Sequence, residues 1–361
     1  MAGYREVSGA GRQSQSLGQG DVNRPSTVRI AMIGAGGVAA RHAQTLSEFP
    51  DVTVIAVADL DARRAGVLAD SCAARAYDNQ DRMLEVENPD AVYICVPPFA
   101  HGAPELACIS HSIPFFVEKP LSVELRVAEQ IATAVAGAGL ITATGYHWRY
   151  SDTVTEATQL LADHPARVVI GCWLDKVPPV PWWVRRDRSG GQIVEQLTHV
   201  LDLLRVLVGE VEVLQAFGTR APRHEHPDSD IDDVTVATLQ MSGGALGTLT
   251  ASSLLRHKHR AGLEIVSDGL AIELTETELT VSHDGRPRSR PSGNDAKIAV
   301  DRAFIDAVAG HGDDIRAPYA EALRTHRLGL AVAESAAIGR PVSLPAPHEA
   351  SEAGLLDAAI L

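Results

Sequence analysis

The chain has no surplus of positive charge, no cysteines at metal-ligand spacing, no internal repeat and no apolar run near its start, and each lack removes a class of function. Its net charge of −14 sets it against nucleic-acid phosphates and anionic membrane surfaces, both repelled within a Debye length. The basic residues that do cluster form short runs. These are Arg185, Arg186 and Arg188, read as a solvated charged loop, and Arg256, His257, Lys258, His259 and Arg260; neither is long enough for a nucleic-acid stripe. Cys72, Cys95, Cys108 and Cys172 lie far apart with no C-x-x-C pair, which suits neither structural zinc nor a disulfide framework and fits reduced thiols in a cytoplasm. Residues 1–26 are rich in Gly, Ser and Gln, so a disordered lead-in is expected there, not a secretory signal or a membrane anchor.

What is present is enough apolar material, 45% of 361 residues, to fill two cores, and two domains are expected. From Val28, short apolar runs alternate with helical stretches, the rhythm of a doubly wound α/β domain with a parallel sheet, expected over 27–148. The runs are Val28 to Ile33, Val52 to Ala58, Ala91 to Val96, Phe115 to Val117 and Leu140 to Thr144. Beyond about Tyr150, strand-like runs follow one another with little helix between them, which predicts a mostly antiparallel sheet in a second domain, 149–345, closed by two helices. A loosely held tail is expected over 346–361.

Gly34-Ala35-Gly36-Gly37-Val38-Ala39 follows the first apolar run and opens a helix, the context that gives a G-x-G-x-x-A pattern meaning. Gly34 permits the tight turn, Gly36 and Gly37 with Val38 let backbone approach a pyrophosphate, and Ala39 allows close helix packing. Asp59 ends the second run, where a carboxylate accepts both adenosine ribose hydroxyls and repels the 2′-phosphate of NADP. NAD is therefore expected over NADP, although Arg63 and Arg64 stand close enough to offset part of that repulsion. Pro97 and His101, in the loop after the third run, are expected near the cofactor ribose, or else form a proline-stiffened turn.

Glu118-Lys119-Pro120 leaves the fourth run at the carboxyl edge of the sheet, where ligands bind in open α/β folds. Pro120 restricts Lys119 and makes a cis peptide conceivable. An ammonium held there can hydrogen-bond a substrate hydroxyl and steady a developing alkoxide. Ser189-Gly190-Gly191-Gln192 has a capping-box form, predicting a helix from Ser189 to Gly209 with Glu195, His199 and Asp202 on one face. A polar stripe among apolar neighbours needs partners, supplied by a polyhydroxylated substrate or by the three residues themselves. No further ligand completes a metal site around them. Trp182 and Trp183, behind a proline-rich loop, suit stacking on a sugar ring, and Tyr146, His147 and Arg149 leave the last parallel run at the domain junction; either set can equally be interdomain packing.

Taken in order, GAGGVAA, the Asp59 run end, EKP at Glu118 to Pro120, GYHWRY at Gly145 to Tyr150 and SGGQIVEQLTHVLD at Ser189 to Asp202 make the chain resemble the Gfo/Idh/MocA oxidoreductases from Val28 to Pro345. The resemblance implies an N-terminal Rossmann domain and a C-terminal α/β domain with a large open sheet often used for oligomer contacts, hence a homodimer or homotetramer. It implies a sugar or cyclitol dehydrogenase with Lys119 and His199 as catalytic residues, and with Glu195 where the family more often has Asp and Leu197 where Gly is frequent. Glu118 and Lys119 would also border the cofactor. Two other readings stand beside this one: a redox-assisted lyase or glycoside-cleaving enzyme, and a non-catalytic NAD- or sugar-sensing protein.

Overall fold

The computed structural model describes residues 27–345; the expected lead-in and tail lie outside the described residues. Six strands form a parallel sheet: β1 (Val28–Ile33), β2 (Val52–Ala58), β3 (Arg75–Tyr77), β4 (Ala91–Ile94), β5 (Phe115–Val117) and β6 (Thr142–Thr144). Their order is β3-β2-β1-β4-β5-β6, so the direction of winding reverses between β1 and β4, and the crevice at that switch point is where such sheets take ligands. Helices α1 (Gly37–Ser47), α2 (Ala62–Ser71), α3 (Gln80–Glu87), α4 (Ala103–Ser110) and α5 (Leu125–Ala138) make the crossovers. The interior strands β1 and β4 are apolar almost throughout because helices cover both faces of this sheet.

After α6 (Asp152–Asp163) comes β7 (Val168–Leu174), and then three short helical pieces, α7 (Arg186–Ser189), α8 (Gln192–Glu195) and α9 (Thr198–Val208). The remaining strands are β8 (Val211–Thr219), β9 (Val234–Met241), β10 (Leu246–Ser252), β11 (Arg260–Ser267), β12 (Leu270–Thr275), β13 (Glu278–His283), β14 (Arg286–Pro291) and β15 (Val342–Ser343). With β7 they form a nine-stranded sheet in the order β14-β13-β12-β11-β7-β10-β9-β8-β15, antiparallel except where β7 runs parallel to β10. Burial alternates along β9 and β10, as it must when one face meets helices and the other does not. The covered face packs on α9 and on α11 (Tyr319–Ile338), with Val169, Leu201, Leu204, Leu214, Leu249 and Leu263 in its core.

Six elements have no counterpart in the sequence reading, among them the two-residue β15 and the four-residue α7. The strand β3 is three residues long, and β14 is polar with two prolines, a composition tolerated only because it is a sheet edge. Helix α3 is half charged, which masks its apolar period, and α6 was also not read.

The assignment of 149–345 to one domain is corrected in one stretch. Helix α10 (Ala296–Val308) leaves the second sheet and returns to the first, where Val300, Phe304 and Ile305 pack with Ile30, Met32, Tyr93 and Phe116. Ala317, Tyr319 and Leu323 pack on the opposite face of the same sheet, beside Phe115 and Val117. An apolar helix is equally at home in either core, so periodicity could not assign it.

Candidate active site

The turn from β1 into α1 is built for a close approach. Gly34 has φ +94°, and a Cβ there would lie 2.4 Å from the Cys95 carbonyl oxygen, so only glycine fits. A Cβ on Gly36 or Gly37 would meet nothing within 4 Å, and the helix opens at Gly36 with no side chain capping it. Free amides and open space at the positive end of an eleven-residue helix suit a pyrophosphate. Asp59 accepts the Ala35 amide (2.7 Å) through one oxygen and the Asp61 amide (2.8 Å) through the other, which fixes its carboxylate at the edge of this cradle with lone pairs to spare. These residues fit a dinucleotide.

At the far edge of β4 and β5 the chain reads Glu118-Lys119-Pro120, with a cis bond before Pro120. Glu118 is buried. It accepts from His42 Nε2 (2.9 Å) and Arg41 (3.2 Å), while His42 Nδ1 meets Asp301 of α10 at 2.7 Å. Burial alone would push the Glu118 carboxyl up, but the hydrogen bond and charge of His42, with Arg41 and Lys119, hold it at about 2. For His42, burial is outweighed by the charge and hydrogen bond of Asp301 and then by Glu118, so its pKa is raised. An imidazole held between two carboxyl groups donates from both nitrogens only as imidazolium, in keeping with the raised pKa.

Lys119 reaches across to the second domain. Its Nζ donates to the Glu195 backbone carbonyl (2.8 Å) and to Glu195 Oε1 (3.0 Å), and Glu195 Oε2 accepts from the buried Trp183 indole (2.8 Å). His199 lies in a sleeve of rings: Trp148 and Trp173 stack on it at 5.7 and 6.0 Å between centroids, and His147 meets it edge-on at 5.1 Å. No hydrogen bond holds its ring among the described residues, and Nδ1 is enclosed without a partner. Burial, then the nearby Lys119 and His147, push its pKa well below the usual 6.5, so it is a neutral base near pH 7. Lys119, Glu195, Gln196 and His199 line a cleft of about 270 Å³ walled by Trp173, Trp182 and Trp183. That is just under the roughly 300 Å³ at which pockets for drug-sized ligands begin, the scale of a single ring.

The single helix expected from Ser189 to Gly209 is three pieces. Ser189 ends α7, its hydroxyl donating to the Trp183 carbonyl (2.7 Å) and accepting from the Gly191 amide (2.9 Å), and Gly190 and Gly191 both have positive φ. At Leu197 the amide reaches back to Gln192 (2.9 Å), five residues away, and the axis restarts at Thr198. This break turns Asp202 off the Glu195–His199 line. Asp202 is a correction to the substrate-binding set: it is buried, accepts from Arg149 Nε and Nη2 (2.7 and 2.6 Å) and from Thr325 (2.7 Å), and has no access to the cleft. Arg149 is corrected with it. Tyr146 is also buried, its hydroxyl 2.8 Å from Thr198 Oγ1, and packs under His199. His101 turns inward to Glu105 Oε1 (2.5 Å) and is buried, and the half-buried Pro97 precedes the turn that leads to it. His147 borders the cleft indirectly, through His199 and Glu276.

Reading the sequence missed Trp173, Gln196 and Glu276. Trp173 sits at an ordinary inward strand position, and Glu276 lies in the β12–β13 turn, far along the chain, so nothing local marks either. Among the described residues no His, Cys, Asp and Glu group is arranged to hold a metal ion, and no helix is long and apolar enough to cross a membrane.

Residues 28–146 match the family of oxidoreductases with an NAD-binding Rossmann fold, GFO/IDH/MocA, and residues 165–273 match a GFO/IDH/MocA C-terminal domain. The 2,7-anhydro-N-acetylneuraminate hydratase of Mediterraneibacter gnavus is 23% identical over 269 residues, covering 72% of this chain and 71% of that protein. The myo-inositol 2-dehydrogenase of Thermotoga maritima is 27% identical over 233 residues, 62% of this chain and 68% of that protein. Levoglucosan dehydrogenase in complex with NADH superposes with a TM-score of 0.80 at 19% identity, covering 88% of this chain and 99% of that one.

Proposed function

The chain belongs to the GFO/IDH/MocA oxidoreductases, with an NAD-binding Rossmann domain, and from that premise we propose that it oxidises a secondary alcohol of a sugar, sugar derivative or cyclitol, or reduces the matching ketone. The observation that carries the reading is that an ammonium and an unprotonated imidazole, Lys119 and His199, line one ring-sized cleft from two different domains. The names of the myo-inositol and levoglucosan relatives support the substrate class. Asp59 supports NAD over NADP, since its carboxylate would stand against a 2′-phosphate.

NAD, when bound, accepts or returns the hydride. His199 takes the hydroxyl proton, and Lys119 donates to the same oxygen and steadies its negative charge. Glu195 sets Lys119 in place by one carbonyl and one carboxylate contact, and Trp183 fixes the carboxylate. Trp182 offers a flat apolar face to the C–H face of a sugar.

A second reading is favoured by the hydratase relative: transient oxidation of a ring carbon followed by elimination or hydration, with no net change in NAD. Incubation with NAD and a panel of inositols, aldoses, uronates and amino sugars, followed by absorbance of reduced nicotinamide and by product analysis, separates the two. Accumulating NADH supports the dehydrogenase; a changed product without NADH supports the second reading. Tight NAD binding with no product from any substrate overturns both and leaves a sensor.

We place the protein in a reducing compartment, in keeping with four free cysteines, and propose that it assembles as a homodimer or homotetramer through the uncovered face of the nine-stranded sheet. That face carries Val168, Ile170, Phe217, Val236 and Leu246, all exposed, with Val168 opposite Leu246 at one place and Val236 opposite Phe217 at another.

A further inference from the structure

The densest basic run, Arg256 to Arg260, leads from the β10–β11 loop into β11, and its middle residue, Lys258, comes to Trp173 at the wall of the cleft. Lys258 Nζ stands 4.6 Å from the centroid of the Trp173 ring, the same ring that walls the cleft and stacks on His199. The loop is held at three points: the Ser253 amide donates to the Asp233 carbonyl (3.0 Å), Leu255 to Asp175 (3.1 Å) and His259 to Leu174 (2.9 Å). The backbone that carries Lys258 is therefore pinned on both sides of it.

Its protein partner is weakly engaged. Glu276 gives its Oε1 to Lys297 at 2.7 Å and to His147 Nε2 at 3.3 Å, and only its Oε2, at 3.3 Å, to Lys258. One carboxylate thus serves two ammoniums, with Lys258 the looser of the two. The other anion on this side is Asp175, beneath Trp173, whose oxygens accept from the Trp173 indole (3.3 Å) and the Lys176 amide (2.7 Å). Lys258 keeps two donors for a ligand and is 43% exposed at the side chain. Lys119, by contrast, has two of its three donors engaged by Glu195.

We infer that Lys258 is an anion subsite at the wall of the cleft, and that the substrate is a sugar acid whose carboxylate pairs with Lys258 while its ring lies in the cleft beside Lys119 and His199. This rests on the sugar-oxidising reading and narrows its substrate. An ammonium on an aromatic face is partly desolvated, so a carboxylate gains more from it than from a lysine in open water.

The test uses the full chain with NAD and a matched set: an aldohexose, its uronate and its 6-phosphate. The expected result is a kcat/KM for the uronate at least about tenfold above the hexose, lost in Lys258→Met mainly through KM and kept in Lys258→Arg. Equal kcat/KM for hexose and uronate, or a uronate preference that survives Lys258→Met, overturns the inference. A Lys258-dependent preference for the 6-phosphate over the uronate overturns the carboxylate assignment. Calorimetric binding of the uronate to the NAD-loaded protein gives an arm without turnover. If no sugar reacts but the uronate binds and Lys258→Met weakens it about tenfold, the oxidation reading fails and the subsite stands.

Discussion

Lys119 and His199 are held in opposite ways, one by hydrogen bonds and the other by packing alone. Lys119→Ala is expected to lower kcat by roughly 10² to 10⁴ and leave NAD affinity within a few-fold, since its ammonium acts on the substrate oxygen; stopped-flow turnover beside fluorescence titration of NAD checks both. Because His199 is neutral down to well below its usual 6.5, the acid limb of kcat/KM should lie far under pH 6 and the profile should be flat from there to neutrality. An acid limb near pH 6.5 that vanished in His199→Asn would show the imidazole to be unshifted and the sleeve of rings to be permeable to water. At this scale the sequence was informative where chemistry and backbone geometry coincide: Gly34, Asp59, Lys119 and His199. It misled at Asp202, because helical spacing is a sound guide only along an unbroken axis. It was silent on Trp173, whose alternation tells that it points inward but not that a histidine waits there.

Among the elements, the joint between α1, the β5 edge and α10 is made by the buried Asp301–His42–Glu118 line. Removing one partner leaves an uncompensated charge, so Asp301→Ala should cost about 3–5 kcal/mol in denaturant unfolding. The raised His42 contributes fully below about pH 6.5, its unfolded value, and its share fades as pH rises through its higher folded value. The lowered Glu118 contributes fully above about 4.5 and is lost as pH falls toward about 2. Wild-type stability should therefore sag on both the alkaline and the strongly acid side, and the alkaline sag should disappear in His42→Gln; a parallel loss in that variant would assign it to other groups. Strands β1, β2 and β5 were legible to the residue because each is a clean apolar run. The Asp301 partner was not, being 259 positions from His42.

The whole molecule presents one broad uncovered sheet face, where Phe217 and Leu246 are 63% and 60% exposed. If copies of the chain meet there, light scattering should give a dimer or tetramer, and Phe217→Lys with Leu246→Lys should shift it toward monomer with little change in helix content. A monomer in the unmutated protein would leave that face without an occupant. The two-sheet architecture was legible from the change of rhythm near Tyr150. The path of the chain between the sheets was not, because either core would accept α10.

That path has a genetic consequence. The nucleotide-binding half is completed by residues from 296 to 323, so it is not a module that a single cut after 148 could release: a fragment ending there would expose Ile30, Met32 and Phe116 where Val300, Phe304 and Ile305 had lain. Recombination between relatives, natural or designed, would have to exchange both stretches together or let the new cofactor half inherit its helical cover from the old substrate half. The lineage of the two halves should therefore show as shared substitutions between the faces of α1 and α10, with the His42–Asp301 pair changing in step.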